Sequence, residues 1–197
     1  QPCSSAASDV YKRQVKSIIQ IAKQSPSGVN TQPWNVYVLS GDARDKLVNE
    51  ATSRYDQGKM DGQEYLVYPK EMPDWYKERR RAVGWAMYGA IGIEKGDTEK
   101  MMAQGRKNYE FFGAPVGIFI TVKNCVGPNG WGHVGHFIQN VCLLAIENGL
   151  ATCLQEAWAE LPKLVREHVD YPEDETLWCG IAVSYTHLTL PTNTVVV

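Results

Sequence analysis

The run "GAPVGIFITV", residues 113–122, restricts the fold more than any other part of the chain. It is apolar almost without interruption and is punctuated by Gly113 and Pro115, so it reads as a buried strand. "LWCGIAV" (177–183) reads the same way, and shorter strands are expected at Val36–Leu39 and in "LATCLQ" (150–155). A strand without a polar side needs cover on both faces. "VKSIIQIAKQ" places Ile18, Ile19 and Ala22 at helical spacing before Pro26 stops it, and "HFIQNVCLLAIEN" (136–148) is apolar nearly all round, a buried helix that Gly149 is placed to end. Further helices are expected across "ARDKLVNEATSRY" after the Gly41-Asp42 cap, from Trp75 to Ile93, from Asp97 onward, and in "AELPKLVREHVD". The long Trp75–Ile93 helix carries Tyr76, Val83, Ala86, Met87 and Ala90 on one side. This alternation predicts a sheet with helices on both faces.

At 197 residues, 44% apolar and 21% charged, the chain suits one globular domain. A net charge of −2 gives no global pull toward nucleic acid or an anionic membrane. Neither a run of ~20 apolar residues nor a secretory leader pattern is evident. The five cysteines (Cys3, Cys125, Cys142, Cys153, Cys179) are odd in number and widely spaced, as expected of reduced thiols in a cytoplasmic protein. His133 and His136 form H-x-x-H near Cys142, yet no second ligand cluster accompanies them, so no metal is expected. Both ends read as foreign to the pattern beside them. The domain is expected over 15–183, with a non-native or disordered leader (1–14) and tail (184–197).

Two loops invite a ligand. "PSGVNTQPW" (26–34) joins a helix to a strand through Pro26, Gly28 and Pro33, which forbid regular structure. It is either a turn whose amides cap backbone or a surface shaped for a flat polar ligand. "GWGHVG" (130–135) matches G-x-G-x-x-G, with Glu156 some way beyond, but "KNCVGPN" separates it from the strand it should follow directly. It reads as a glycine-rich loop and packing site, with a Rossmann-type NAD-binding domain as the minor alternative. "GKMDGQEYLVYPKEMPDW" is polar and turn-rich, an excursion or lid. The "KERRR" stretch beyond it reads as a solvated face, or as a contact for a phosphate-bearing cosubstrate.

Four segments occur in order: "AKQSPSGVNTQPWNVYVLSG", "NYEFFGAPVGIFITV", "HFIQNVCLLAIENGLATCLQEAWAELPKLVREHV" and "PEDETLWCGIAV". Together they closely resemble the flavin-dependent nitroreductase family, nearest the branch with a T-C-x-Q-x-A-W segment. The resemblance implies an α+β, three-layer α-β-α fold with a mixed, mainly antiparallel sheet. It also implies a homodimer holding FMN at its interface, with NAD(P)H as cosubstrate. On the matching positions, Pro26, Ser27, Gly28, Asn30 and Gln32 would lie along the FMN, with the Pro and Ser contributed across the dimer. Asn108 would lie against the flavin or serve as a helix-end cap. Leu154, Gln155 and Glu156 would pass its reactive edge, with Glu156 standing where the family commonly has a small residue. Phe111, Phe112, Trp131 and Trp158 could stack on an aromatic substrate or belong to the core, and Trp34 is expected in the core. The family's opening R-R-S-x-R and closing arginine, which hold the FMN phosphate, are missing, and Lys12, Arg13 and Lys16 are not given that role.

The function implied is electron transfer from NAD(P)H to a small electron-poor acceptor, a nitroaromatic or quinone, by a ping-pong mechanism. The flavin would supply the redox chemistry and the protein the positioning. A non-catalytic or degenerate flavin-binding fragment is the alternative from another class.

Overall fold

The computed structural model describes residues 5–185, with side chains for 12–185. Its helices are α1 (Ser5–Ala22), α2 (Gly41–Asp56), α3 (Asp74–Ala90), α4 (Thr98–Arg106), α5 (Pro128–Glu147) and α6 (Pro162–Val169). Its strands are β1 (Trp34–Ser40), β2 (Val116–Lys123), β3 (Leu150–Gln155) and β4 (Glu175–Tyr185). Short 3₁₀ segments cover Gly28–Asn30, Lys107–Gly113 and Glu156–Glu160. The strands form one sheet in the order β1-β2-β4-β3. Every pair is antiparallel, so among the described residues the expected mixture of directions is absent.

The apolar run of β2 feeds two cores by simple alternation. Val116, Ile118 and Ile120 point to one face, where α1 and α5 supply Ile18, Val134, Phe137 and Val141. Phe119 points to the other, against Leu47 of α2, Leu164 of α6 and the ring of Trp158. Val122 continues the alternation onto the first face, while a register shift between Ile120 and Thr121 leaves Trp178 of β4 as the extra residue of a bulge. Trp34 stacks on Phe137 with ring centroids 5.0 Å apart, in the core as expected.

Several boundaries differ from the sequence reading. α5 begins at Pro128, eight residues before His136, because proline suits the first helical position and its missing N–H costs nothing there. The glycines of "GWGHVG" therefore lie inside a helix, and no strand–turn–helix exists there to hold a pyrophosphate. That geometry and the antiparallel sheet overturn the Rossmann alternative. A Cβ on Gly130 would lie 2.5 Å from that of Val126, so this glycine serves packing. α3 stops at Ala90, with Gly92 in the left-handed region at φ +71°, short of the expected Ile93. α1 reaches back to Ser5 and β4 runs on to Tyr185, past the expected limits of Val15 and Val183. The rest of the expected leader (1–4, with Cys3) and tail (186–197) lies outside the described residues.

Candidate functional site

β3 ends at Gln155, and the chain turns at once into the 3₁₀ segment Glu156–Glu160. Strand alternation leaves Leu154 half exposed and buries Gln155, at 1% exposure. The Gln155 amide nitrogen donates to the carbonyl of Asn108 at 2.8 Å. Asn108 in turn donates from its side chain to the Gly105 carbonyl at 3.0 Å, closing the end of α4. The cap reading of that asparagine is thus realised, and it still lines the site.

Asn108, Leu154, Gln155 and Glu156 converge on a cavity of about 460 Å³, together with Gln63 and Tyr68 from the excursion. The excursion is tied down by the amides of Asp61 and Gly62, which donate to the Glu160 carbonyl at 3.0 and 3.2 Å. Tyr68 donates its hydroxyl to Glu156 Oε2 at 3.1 Å. Burial, then the Glu156 charge, pushes that phenol up from its ordinary value. Gln155 Oε1 is buried and has no hydrogen-bond partner among the described residues. An orphaned buried acceptor of this kind costs about 1–3 kcal/mol.

The loop 26–32 lies elsewhere. It leads into β1, at the opposite edge of the sheet from β3. Three strand spacings of about 4.8 Å, roughly 14 Å, separate the two edges. Its shape comes from α5: the Gly28 N–H donates to His133 Nε2 at 3.2 Å, and His136 Nδ1 lies 3.5 Å from the Pro26 carbonyl. Asn140 adds a 2.7 Å bond to Ser25 Oγ. Inside the loop Ser27 Oγ accepts from the Gln32 N–H, and the Gln32 side chain donates to the Lys23 carbonyl, both at 3.0 Å. Val29, Asn30 and Gln32 have φ of 46°, 58° and 43°. Val29 is 97% exposed.

The aromatic candidates separate. Phe111 and Trp158 are fully buried and stacked 4.8 Å apart, and Trp158 also meets Phe119 edge-on, so neither presents a ring face to a substrate. They lie flat on the sheet because β2 and β4 carry glycines beneath them. A Cβ on Gly117 would fall 2.3 Å from Phe111, and one on Gly180 2.4 Å from Trp158. Phe112 is half-buried beside the same core. Trp131, half-buried, packs against Tyr65 and Trp178 at 5.0 and 5.5 Å. Sequence reasoning missed Gln63, Tyr68 and the loop-holding histidines. The i,i+3 spacing of His133 and His136 was the available signal, since it puts both on one side of a helix.

The model of the Nitroreductase family matches residues 5–185. A 4-nitrobenzoate reductase from Nocardioides sp. (strain LMS-CY) is 35% identical over 181 residues, covering 89% of this chain and 72% of the relative. A nitrobenzene nitroreductase from Ectopseudomonas oleovorans is 30% identical over 181 residues, covering 91% and 79%. Among solved structures, the FMN and NADPH-dependent nitroreductase NfnB from Sphigopyxis sp. strain HMH superposes with a TM-score of 0.83 at 34% identity, covering 88% and 78%. NfnB from Mycobacterium smegmatis, solved in complex with NADPH, gives 0.83 at 26% identity over 88% and 78%.

Proposed function

The chain belongs to the nitroreductase family, and we propose that it is an FMN-dependent oxidoreductase carrying electrons from NAD(P)H to a nitroaromatic or similar electron-poor acceptor. The observation that carries the site assignment is the cavity at the end of β3, whose lining residues include Gln155 with its buried, unpaired Oε1. When bound, FMN supplies hydride acceptance and donation at its ring. The residues present fit such a group: Asn108, Leu154, Gln155 and Glu156 offer an amide acceptor, an apolar surface and a carboxylate on one wall. Tyr68 and Gln63 partly close the cavity and limit the access of water. Donor and acceptor would take turns on one open face, which is the ping-pong order.

The second half of the site is the loop with Pro26, Ser27, Gly28, Asn30 and Gln32. It lies too far from Gln155 in one chain to share a ring with it, so the reading requires a homodimer in which Pro26 and Ser27 meet the β3 edge of the other copy. Exposed apolar side chains on α1 and α5 support this. Ile21, Leu143 and Ile146 are 53%, 55% and 64% exposed. An obligate interface of this kind commonly buries more than ~2,000 Å². The buried free thiols of Cys153 and Cys179 support a reducing, cytoplasmic setting.

The purified protein tests the reading. It should be yellow, absorbing near ~450 nm as flavins do. Anaerobic NADPH should bleach it, and 4-nitrobenzoate or nitrobenzene should restore the colour. A colourless protein that gains no flavin when FMN is added would refute the assignment.

A further inference from the structure

A second cavity, of about 870 Å³, opens between α3, the end of the excursion and Met101 of α4. Its lining includes Lys70, Lys77, Arg80 and Arg81, and no acidic residue, in a chain whose net charge is −2. The rest of the wall is aromatic and sulfur-rich, with Tyr68, Trp85 and Met87 among its members. Lys77 is paired with Asp74 at 3.3 Å, and Arg80 lies over the Tyr68 ring at 5.2 Å. Arg81 and Lys70 form no ion pair among the described residues. Tyr68 lines this cavity and the flavin cavity both, so the two adjoin across one ring.

We propose that this cleft binds the adenosine 2′-phosphate end of NADPH, with Arg81 and Arg80 on the phosphate and the aromatic wall against the purine. The proposal rests on the reading of a nicotinamide nucleotide as electron donor. Several cations exceed what one carboxylate on a nitroaromatic needs, and the volume lies in the upper part of the range for ligand sites. Guanidinium groups match phosphate oxygens in pairs, and a flat purine suits an aromatic and methionine wall. The 2′-phosphate is the one group that separates NADPH from NADH, so this site would set the cosubstrate preference. Tyr68 then joins the two ends of the donor: its hydroxyl holds Glu156 beside the flavin cavity, and its ring holds Arg80 beside the phosphate.

The test titrates 2′,5′-ADP and 5′-AMP into the purified protein by calorimetry. The first should bind at least about tenfold more tightly. Arg81→Glu should erase that difference and raise KM for NADPH by a similar factor, with KM for NADH and kcat unchanged. Arg79 lies over Trp75, 5.3 Å from its ring centre, and does not line the cleft, so Arg79→Glu controls for general charge. α3 contributes no buried residue, so these changes leave folding intact. Equal affinity for the two nucleotides, or equal losses in the two variants, would overturn the proposal. So would an Arg81-dependent KM for 4-nitrobenzoate with no effect on NADPH, which would assign the cleft to an anionic acceptor. A protein that prefers 2′,5′-ADP yet reduces no flavin would instead refute the enzymatic reading and leave the cleft assignment standing.

Discussion

Gly180→Ala should destabilise the protein far more than any exposed glycine substitution, and the reason is geometric. The new methyl would lie 2.4 Å from Trp158 Cδ1 and 3.0 Å from its Nε1. Ordinary carbon contacts are about 3.5–4.0 Å, so the indole has to retreat by over ~1 Å. It has no room to do so: its ring centre is 4.8 Å from that of Phe111, 5.1 Å from Phe119 and 5.4 Å from Tyr109, all buried. Overpacking of this kind costs about 1–3 kcal/mol, which for a domain of this size lowers Tm by about 2–4 °C per kcal/mol. Trp158 lies in the 3₁₀ segment directly after Gln155, so its displacement should also disturb the cavity at the end of β3. Urea unfolding of the single variant, of Trp158→Phe and of the pair gives a double-mutant cycle. The smaller ring should remove most of the cost of the added methyl. Gly132→Ala, with nothing within 4 Å of the new atom in helix α5, should instead stabilise by about 0.5–1 kcal/mol. If Gly180→Ala and Gly132→Ala behave alike, or if the cycle is additive, the packing account of Trp158 is wrong.

Gln155→Ala leaves the Asn108 carbonyl without its donor and should cost about 1–3 kcal/mol in urea unfolding. His133→Ala removes the acceptor of the Gly28 N–H, so flavin should dissociate faster while the unfolding midpoint moves little, as fluorescence of released FMN would show. Leu143→Glu with Ile146→Glu puts charge on the exposed apolar side of α5 and should give a flavin-poor monomer in light scattering. The Glu50 carboxyl is held below its ordinary value first by His168 and then by Arg54. Its contribution is therefore present above the unfolded-state value of about 4.3 and lost as pH falls through the folded one. His168→Ala should flatten that acid limb of a stability–pH curve.

The layered fold was legible because it rests on local periodicity. The β2 run had to be covered on both faces, and the two helices expected to be apolar, α1 and α5, lie together on one of them. What was hidden depends on contacts between distant residues. Nothing in "NYEFFGAP" or "EAW" says that Phe111 and Trp158 lie flat over Gly117 and Gly180, since those glycines belong to other segments and read equally well as bends. The start of α5 was obscured by competing signals: glycines that weaken a helix stood beside a proline that begins one. Gln155 and its neighbours were visible only through the family resemblance. Tyr68 could not be selected from a polar excursion until its hydroxyl was seen to meet Glu156.

The loop at 26–32 bears on the proposal that one copy of the chain is an incomplete site. Val29 is β-branched and held at φ 46°, a genuinely unfavourable state, and Asn30 and Gln32 add milder departures at 58° and 43°. Each such residue costs of order 1–3 kcal/mol. Against this the loop makes five bonds, from Gly28 to His133, from Gln32 to Ser27 and Lys23, and from the Asn30 and Thr31 N–H groups to the carbonyls of Ser27 and Gly28, worth about 0.5–1.5 kcal/mol apiece. The two sums are of similar size, so within one chain the loop's conformation is close to break-even. Yet it exposes Val29 almost completely, and no side chain among the described residues covers it. A shape so nearly unrewarded persists when something outside the chain binds it, and binding to the folded form alone adds its own free energy to stability. On the proposed reading, with the other half of the site at the far edge of the sheet, that something is flavin together with a second copy of the chain. Loop conformation, dimer formation and FMN affinity are then one linked equilibrium, in which loosening any one weakens the other two.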